Sequence, residues 1–68
     1  MIRLTRCDGS ELLLNHELIE TIEEAPYTIV FLTSGRNYLV KETAETVVDR
    51  IVAFKVRLAR RIALDVPE

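Results

Sequence analysis

The sequence has few of the residues that hold very small domains together through covalent or metal bonds. Cys7 is the only cysteine and His16 the only histidine among its 68 residues. One cysteine cannot form a disulfide within the chain, and these two residues do not make up a zinc site. Since domains below roughly 80 residues often need such a link or a partner subunit, we expect a homo-oligomer without metal or cofactor.

Long apolar runs are also missing. The longest are about four residues, such as residues 29–32, whereas a membrane-spanning helix needs ~20. The charged residues Arg3, Arg6 and Asp8 interrupt the apolar region that a signal peptide would need. A single thiol suits a reducing compartment. We therefore expect a cytoplasmic protein with no membrane span.

Groups suited to catalysis are equally scarce. A Cys7 nucleophile would need His16 as its base, but the two lie in turns at opposite ends of a predicted strand, on the order of 15 Å apart. The adjacent carboxylates of Glu23 and Glu24 point to opposite faces of a strand and cannot act as a pair. The two glycines are isolated and form no phosphate-binding loop. We expect neither an enzyme nor a small-molecule substrate.

The first two-thirds of the chain has the pattern of short strands joined by tight turns. Asp8-Gly9 and Ser34-Gly35 favour tight turns, and Pro26 interrupts strand pairing. The predicted strands are residues 2–6, 11–14, 18–24, 27–33 and 36–41. In the third strand we expect Leu18 and Ile22 on one face and Ile19 on the other. Residues 29–32 do not alternate, so both faces of that strand should be covered, by this chain or by another subunit.

A long amphipathic helix follows, with the sequence TVVDRIVAFKVRLARRIALDV at residues 46–66. Thr43 is a suitable N-cap, and Glu45 favours the first turn. At about 100° per residue the apolar arc spans roughly 200°, twice the ~100° that a surface helix needs. One stripe is predicted to cover the sheet: Val47, Ile51, Phe54, Leu58 and Ile62.

The second apolar stripe would remain exposed in a monomer, and exposed apolar patches usually mark interfaces. Lys55 lies between the stripes, where its stem can lie along the apolar seam or its charge can pair across an interface. The candidate oligomer-interface residues are Val48, Val52, Lys55, Val56, Ala59 and Ala63.

The sequence thus predicts a single α+β domain. Residues 1–41 form a small, bent antiparallel sheet of about five strands, partly barrel-like. Residues 43–64 form one long C-terminal helix, and residues 65–68 form a tail. We expect light scattering to give at least twice the chain mass of 7.8 kDa. A monomer at high concentration would instead assign the spare helix face to a different protein.

The charges are unevenly distributed along the chain. Residues 8–24 contain six acids and no lysine or arginine, whereas residues 50–61 contain five basic residues and no acid. Both segments are consistent with solvated faces, charge-complementary self-assembly or a polar partner. The sequence pI of about 5.4 and the lack of an aromatic ladder argue against nucleic acid. The candidate partner-binding residues are Arg50, Arg57, Arg60 and Arg61.

Two stretches, MIRLTRCDG (residues 1–9) and LNHELIETIEEAPYTIVFLTSGRNYLVKET (residues 14–43), resemble the FlbD family of small flagellar proteins, also called the swarming motility protein SwrD family. The resemblance covers about residues 1–58 and includes the start of the helix. His16 stands where the family often has proline, and Ser34 where it often has asparagine. The arginine-rich end, residues 57–68, is less typical. The matching pattern comprises residues 1–9, 15–23, Pro26, 28–36, Tyr38, Val40 and Glu42.

This resemblance implies a non-enzymatic accessory protein that supports motor power during swarming and has no catalytic residues. Such a protein would act with the MotA/MotB stator, at the periphery of the flagellar motor. An oligomeric adaptor that stabilises or recruits stator units is consistent with the spare helix face and its basic residues.

Two alternatives draw on other features. The start MIRLTR..G..LLL also resembles the carbon storage regulator family, whose members are small RNA-binding dimers. Only the first ~15 residues fit that family, and tight binding to RNA that weakens steeply with salt would support it. The second alternative is a structural oligomer or chaperone-like adaptor elsewhere in the cell.

Overall fold

The computed structural model describes residues 1–65, and the side chains of residues 1–62. The predicted tail therefore falls largely outside the described residues. Every described strand is four or five residues long. In chain order the elements are β1 (Ile2–Thr5), β2 (Glu11–Leu14), one turn of 3-10 helix (His16–Leu18), β3 (Ile19–Glu23), β4 (Thr28–Leu32), β5 (Asn37–Val40) and α1 (Ala44–Asp65).

The α+β class and the C-terminal helix are confirmed, but the prediction of one partly barrel-like, five-stranded sheet is wrong. The described strands form two smaller antiparallel sheets, β1-β2 and β3-β4-β5. They meet at one corner, where Arg6 bridges Val40 and the Lys41 amide donates to the Thr5 carbonyl at 2.8 Å. On the other side, the chain leaves β2 through the 3-10 turn, so β3 is redirected instead of pairing with β2.

Alternation within the strands builds the core. The register of β1 on β2 places Leu4 opposite Leu12, and both side chains are buried. In β4, residues Ile29 and Phe31 on the outer face are only half-buried, so that face is partly exposed. The buried apolar side chains are Ile2, Leu4, Leu12, Leu14, Val30, Leu32, Val40 and Val47.

The predicted faces of the third strand are wrong. Ile19 and Ile22 both pack against the core, whereas Leu18 is 45% exposed at the end of the 3-10 turn. The pairing of β3 with β4 shifts register between Ile19 and Thr21. Such a bulge inserts an extra residue and breaks the two-residue alternation, so residues three apart share a face.

The helix begins as predicted but packs over only half its length. The Thr46 amide donates to Thr43 Oγ1 at 3.1 Å, which is an N-cap. Ile51 and Phe54 follow the buried Val47 onto the core. The prediction that Leu58 and Ile62 also cover the sheet is wrong, since they are 46% and 54% exposed.

The reason is the small size of the sheets. A 22-residue helix is about 33 Å long at 1.5 Å per residue, whereas strands of four or five residues span roughly 13–17 Å. The helix therefore extends past the sheets, and the molecule measures 50 × 23 × 19 Å.

The register of β1 on β2 can be tested with two neighbouring leucines. Leu12 is 6% exposed and Leu13 is 57% exposed. Leu12→Ala should lower the free energy of unfolding by about 2–4 kcal/mol, because it leaves a cavity in the core. Leu13→Ala should change it by less than about 0.5 kcal/mol. Urea denaturation of both variants measures the difference, and equal losses would contradict this register.

Candidate interaction surface on the C-terminal helix

The carboxylate of Glu42 attaches the helix to β1. Its oxygens accept hydrogen bonds from the Thr5 amide at 2.9 Å and the Thr5 hydroxyl at 3.0 Å. Arg50, two turns into α1, donates to the same carboxylate at 2.7 Å and to the Arg3 carbonyl at 2.6 Å. The Glu42 side chain is only 8% exposed. These bonds, which we call the Glu42 junction, fix the start of α1 against β1.

The electrostatics of this junction favour the ionised carboxylate. Burial alone would raise the pKa of Glu42, but hydrogen bonds from the Thr5 amide, its own amide, the Thr5 hydroxyl and Arg50 outweigh burial and lower that pKa. The negative charge on Glu42 is thus stabilised by hydrogen-bond donors from both β1 and α1.

Beyond the junction, α1 has an exposed apolar face. Val48, Val52 and Val56 are spaced four residues apart and are 48%, 55% and 44% exposed. We call these three residues the valine ridge. Ala59, one turn further on, is also exposed, and so is Lys55 at the edge of the ridge. The side chain of Ala63, the last predicted interface residue, lies outside the described residues.

The four predicted partner-binding arginines do not form one stripe. Arg50 is held within the chain by the Glu42 junction. Arg57 and Arg61 lie one turn apart, on the side of α1 away from the ridge. Arg60 lies about 40° around the helix from Val56, beside the ridge. Arg57, Arg60 and Arg61 are all exposed.

Two hollows adjoin Arg57. One of about 450 Å³ lies between the helix and the outer side of β1 and β2, and one of about 270 Å³ lies further along the helix. Both combine apolar side chains with guanidinium groups, so this side of the helix suits a partner that offers an apolar side chain beside a carboxylate. The first is lined by Met1, Ile2, Arg3, Leu13, Arg50, Ala53 and Arg57. The second is lined by Phe54, Arg57, Leu58 and Arg61.

The comparison with known families now identifies the chain. The sequence model of FlbD, described as flagellar and swarming motility proteins, matches residues 1–59. The chain belongs to the FlbD family. This confirms the family predicted from the sequence and assigns the protein to flagellar and swarming motility. Among curated proteins and solved structures, none is significantly similar to the chain.

The FlbD match covers both sheets and the whole valine ridge, and it ends before Arg60. Two glycines of the family pattern, Gly9 and Gly35, have φ angles of +93° and +90° in turns, a region that glycine adopts without strain. Glu42, another residue of the pattern, forms the junction described above. These pattern residues therefore build the scaffold, and the surfaces available to a partner lie between and beyond them.

Reasoning from residues alone missed two features. The sequence placed His16 only in a turn, but its side chain is half-buried, and its ring lies edge-on to Phe54 with centroids 5.0 Å apart. Its Nδ1 atom is buried without a hydrogen-bond partner among the described groups. Glu42 was marked only by the family pattern. Both roles depend on where the helix packs, which no local pattern specifies.

Among the described residues, few groups suit a thiol, metal or membrane-spanning role. Cys7 is an exposed free thiol. Among these residues there is no group of three or more side chains that could hold a metal ion. No helix in the described part of the chain is both long and apolar enough to cross a membrane.

Replacing Glu42 should change how the stability of the fold depends on pH. The pKa of Glu42 is lowered from its ordinary 4.5 in the folded protein. Its ionisation therefore stabilises the fold fully above that ordinary value, and this contribution is lost as pH falls through the lowered one. Glu42→Gln should lower the free energy of unfolding at pH 7 by about 1–3 kcal/mol and weaken its dependence on acid.

Urea denaturation between neutral and acidic pH provides the measurement. Glu20→Gln is the matched control, because Glu20 is exposed on β3 and should change stability by less than about 0.5 kcal/mol at pH 7. If Glu42→Gln has the stability and acid profile of the parent protein, the junction does not fix the helix.

Proposed function

We propose that this FlbD protein is a non-enzymatic accessory of the flagellar motor, an oligomeric adaptor that acts with the MotA/MotB stator to sustain torque during swarming. The observation that carries this proposal is the second half of α1. From Lys55 to Ile62 every described side chain is exposed, although apolar residues recur along it. A family assigned to flagellar and swarming motility supplies the setting in which this half-helix would act.

Exposed apolar and cationic side chains together support a protein partner. Leu58 is 46% exposed and lines one hollow with Arg57 and Arg61, and neither arginine forms an ion pair with the described side chains. A guanidinium recognises a carboxylate through directional hydrogen bonds, while the neighbouring apolar hollows can receive a side chain. We propose that an acidic, partly apolar segment of the stator binds on this side.

The adaptor would also bind itself. The valine ridge is on a different side of α1 from Arg57 and Arg61, so self-association and stator binding need not compete for one surface. The interface residues proposed for self-association are Val48, Val52, Lys55, Val56 and Ala59. Of the four arginines, Arg57 and Arg61 are proposed to bind the stator. Arg50 is held in the Glu42 junction and stabilises the fold.

RNA binding would use the same arginines. The net charge of −2 opposes strong attraction to phosphate. Both tyrosines lie outside α1, and Phe54 on the helix is half-buried against the core, which leaves little aromatic surface for base stacking beside the arginines. We therefore propose a protein partner, and tight binding of RNA by the purified chain that weakens steeply with salt would contradict this choice.

Charge reversal on the stator-facing side tests the proposal. Arg57→Glu combined with Arg61→Glu should slow swarming markedly, because like charges facing an acidic partner cost roughly 2–5 kcal/mol of binding free energy. The fold should be unchanged, since both side chains are exposed and neither touches the Glu42 junction. Swarm expansion on plates and thermal unfolding by circular dichroism measure the two effects.

Arg36→Glu combined with Lys41→Glu is the matched control. It changes the net charge by the same amount at exposed positions away from α1 and should leave swarming as in the parent strain. Normal swarming with the helix variant would refute the proposed stator contact. Equal slowing by both variants would show that only overall charge matters.

A further inference from the structure

We infer that two copies of this chain pair through antiparallel α1 helices, with the valine ridges in contact and Asp49 of each copy facing Arg60 of the partner subunit. This refines the self-association in the proposed function. The evidence comes from the arrangement of charge around the ridge, and the test in solution does not depend on the stator.

Three charged residues adjoin the valine ridge: Glu45 lies in line with it, and Asp49 and Arg60 lie along one edge. At about 100° per residue, Glu45, Asp49 and Arg60 all lie within roughly 40° of Val56 around the helix. The two acids lie in the first half of α1 and the arginine in the second half. The ridge therefore has an acidic start and a basic end.

This order of charges distinguishes the two ways of pairing helices. In a parallel pair in register, the charged edges of the two copies lie on opposite sides of the apolar seam, so Asp49 of one copy does not meet Arg60 of the other. In an antiparallel pair, the acidic start of each ridge lies beside the basic end of the other. Opposite charges that flank an apolar seam set the orientation of paired helices. The antiparallel pair is the favoured arrangement.

The register of the pair follows from the same residues. A two-fold axis that places Asp49 opposite Arg60 passes between residues 54 and 55. The middle of the step from Val52 to Val56 is at residue 54, about 0.75 Å along the helix from this axis, so each of these valines lies close to the other one across the pair. A single axis thus serves the apolar and the charged residues to within half a residue, as a closed two-fold interface requires.

The shape of the subunit allows this contact. The sheets pack against α1 only as far as Phe54, so the antiparallel arrangement places the two pairs of sheets at opposite ends of the dimer. Each projecting half-helix then lies along the docked half of the other helix. Lys55 is close to the axis on the far edge of the ridge, where its ammonium group stays in water.

The pair should be a concentration-dependent equilibrium. Only one helix face of each copy would be in contact, so we expect a buried area at or below the low end of the roughly 1,200–2,000 Å² of a standard stable interface. Sedimentation equilibrium of the full chain should therefore show the mass rising with concentration from 7.8 kDa toward twice that value.

Charge exchange tests the orientation. Asp49→Arg alone and Arg60→Asp alone should each raise the dimer Kd by about tenfold or more, since two opposite-charge contacts become two like-charge contacts. An equimolar mixture of the two variants should regain the parent affinity as a heterodimer, because one variant carries arginine at both positions and the other carries aspartate at both. The double variant should dimerise like the parent.

Arg57→Asp is the matched control, because Arg57 is exposed on the other side of α1 and should leave the dimer Kd within about twofold of the parent. A parent protein that remains monomeric at all concentrations, or variants that the mixture and the double exchange fail to restore, would overturn the inference. If the charge-exchange variants regain pairing but the Arg57/Arg61 variant swarms normally, only the stator contact is refuted. If the Arg57/Arg61 variant swarms slowly but the parent chain does not pair, only the dimer is refuted.

Discussion

The carboxylate of Glu42 is the contact on which the rest of the molecule depends, because three parts of the chain converge there. One residue earlier, the Lys41 amide joins the end of β5 to β1, and one residue later Thr43 caps the helix. Glu42 itself accepts hydrogen bonds from the amide and hydroxyl of Thr5 and from the Arg50 guanidinium on α1. The corner between the two sheets and the direction of the helix are therefore set within a few residues.

This direction has a consequence for the second half of the helix. The sheets are too short to cover α1 beyond Phe54, so the helix leaves the core with its apolar residues still exposed. Such exposure in a small domain is the basis for the interfaces proposed above. The FlbD pattern residues Gly9, Gly35 and Glu42 hold the scaffold, whereas the exposed ridge and arginines form the surfaces proposed for partners. The proposed surfaces thus begin on the docked half of the helix, at Val48 and Val52, and continue past it.

Local features of the fold could be predicted from the sequence. The Asp8-Gly9 and Ser34-Gly35 turns, the strands between them and the Thr43 cap all depend on residues close together in the chain. The long-range features could not be predicted. The division into two sheets depends on where the 3-10 turn sends β3, and the faces of Ile19 and Ile22 depend on a bulge. The candidate site was predicted as a set of exposed residues, but the separation of Arg50 from Arg57 and Arg61 required the position of Glu42.

Motor torque in single cells tests the central claim most directly. A bead attached to one flagellum reports torque, and cells with and without this gene in the native host can be compared under the same load. The account predicts that cells without the gene still build rotating flagella but produce less torque. Unchanged torque, or a change in flagellin level instead, would contradict an action on the motor and would favour RNA-level control.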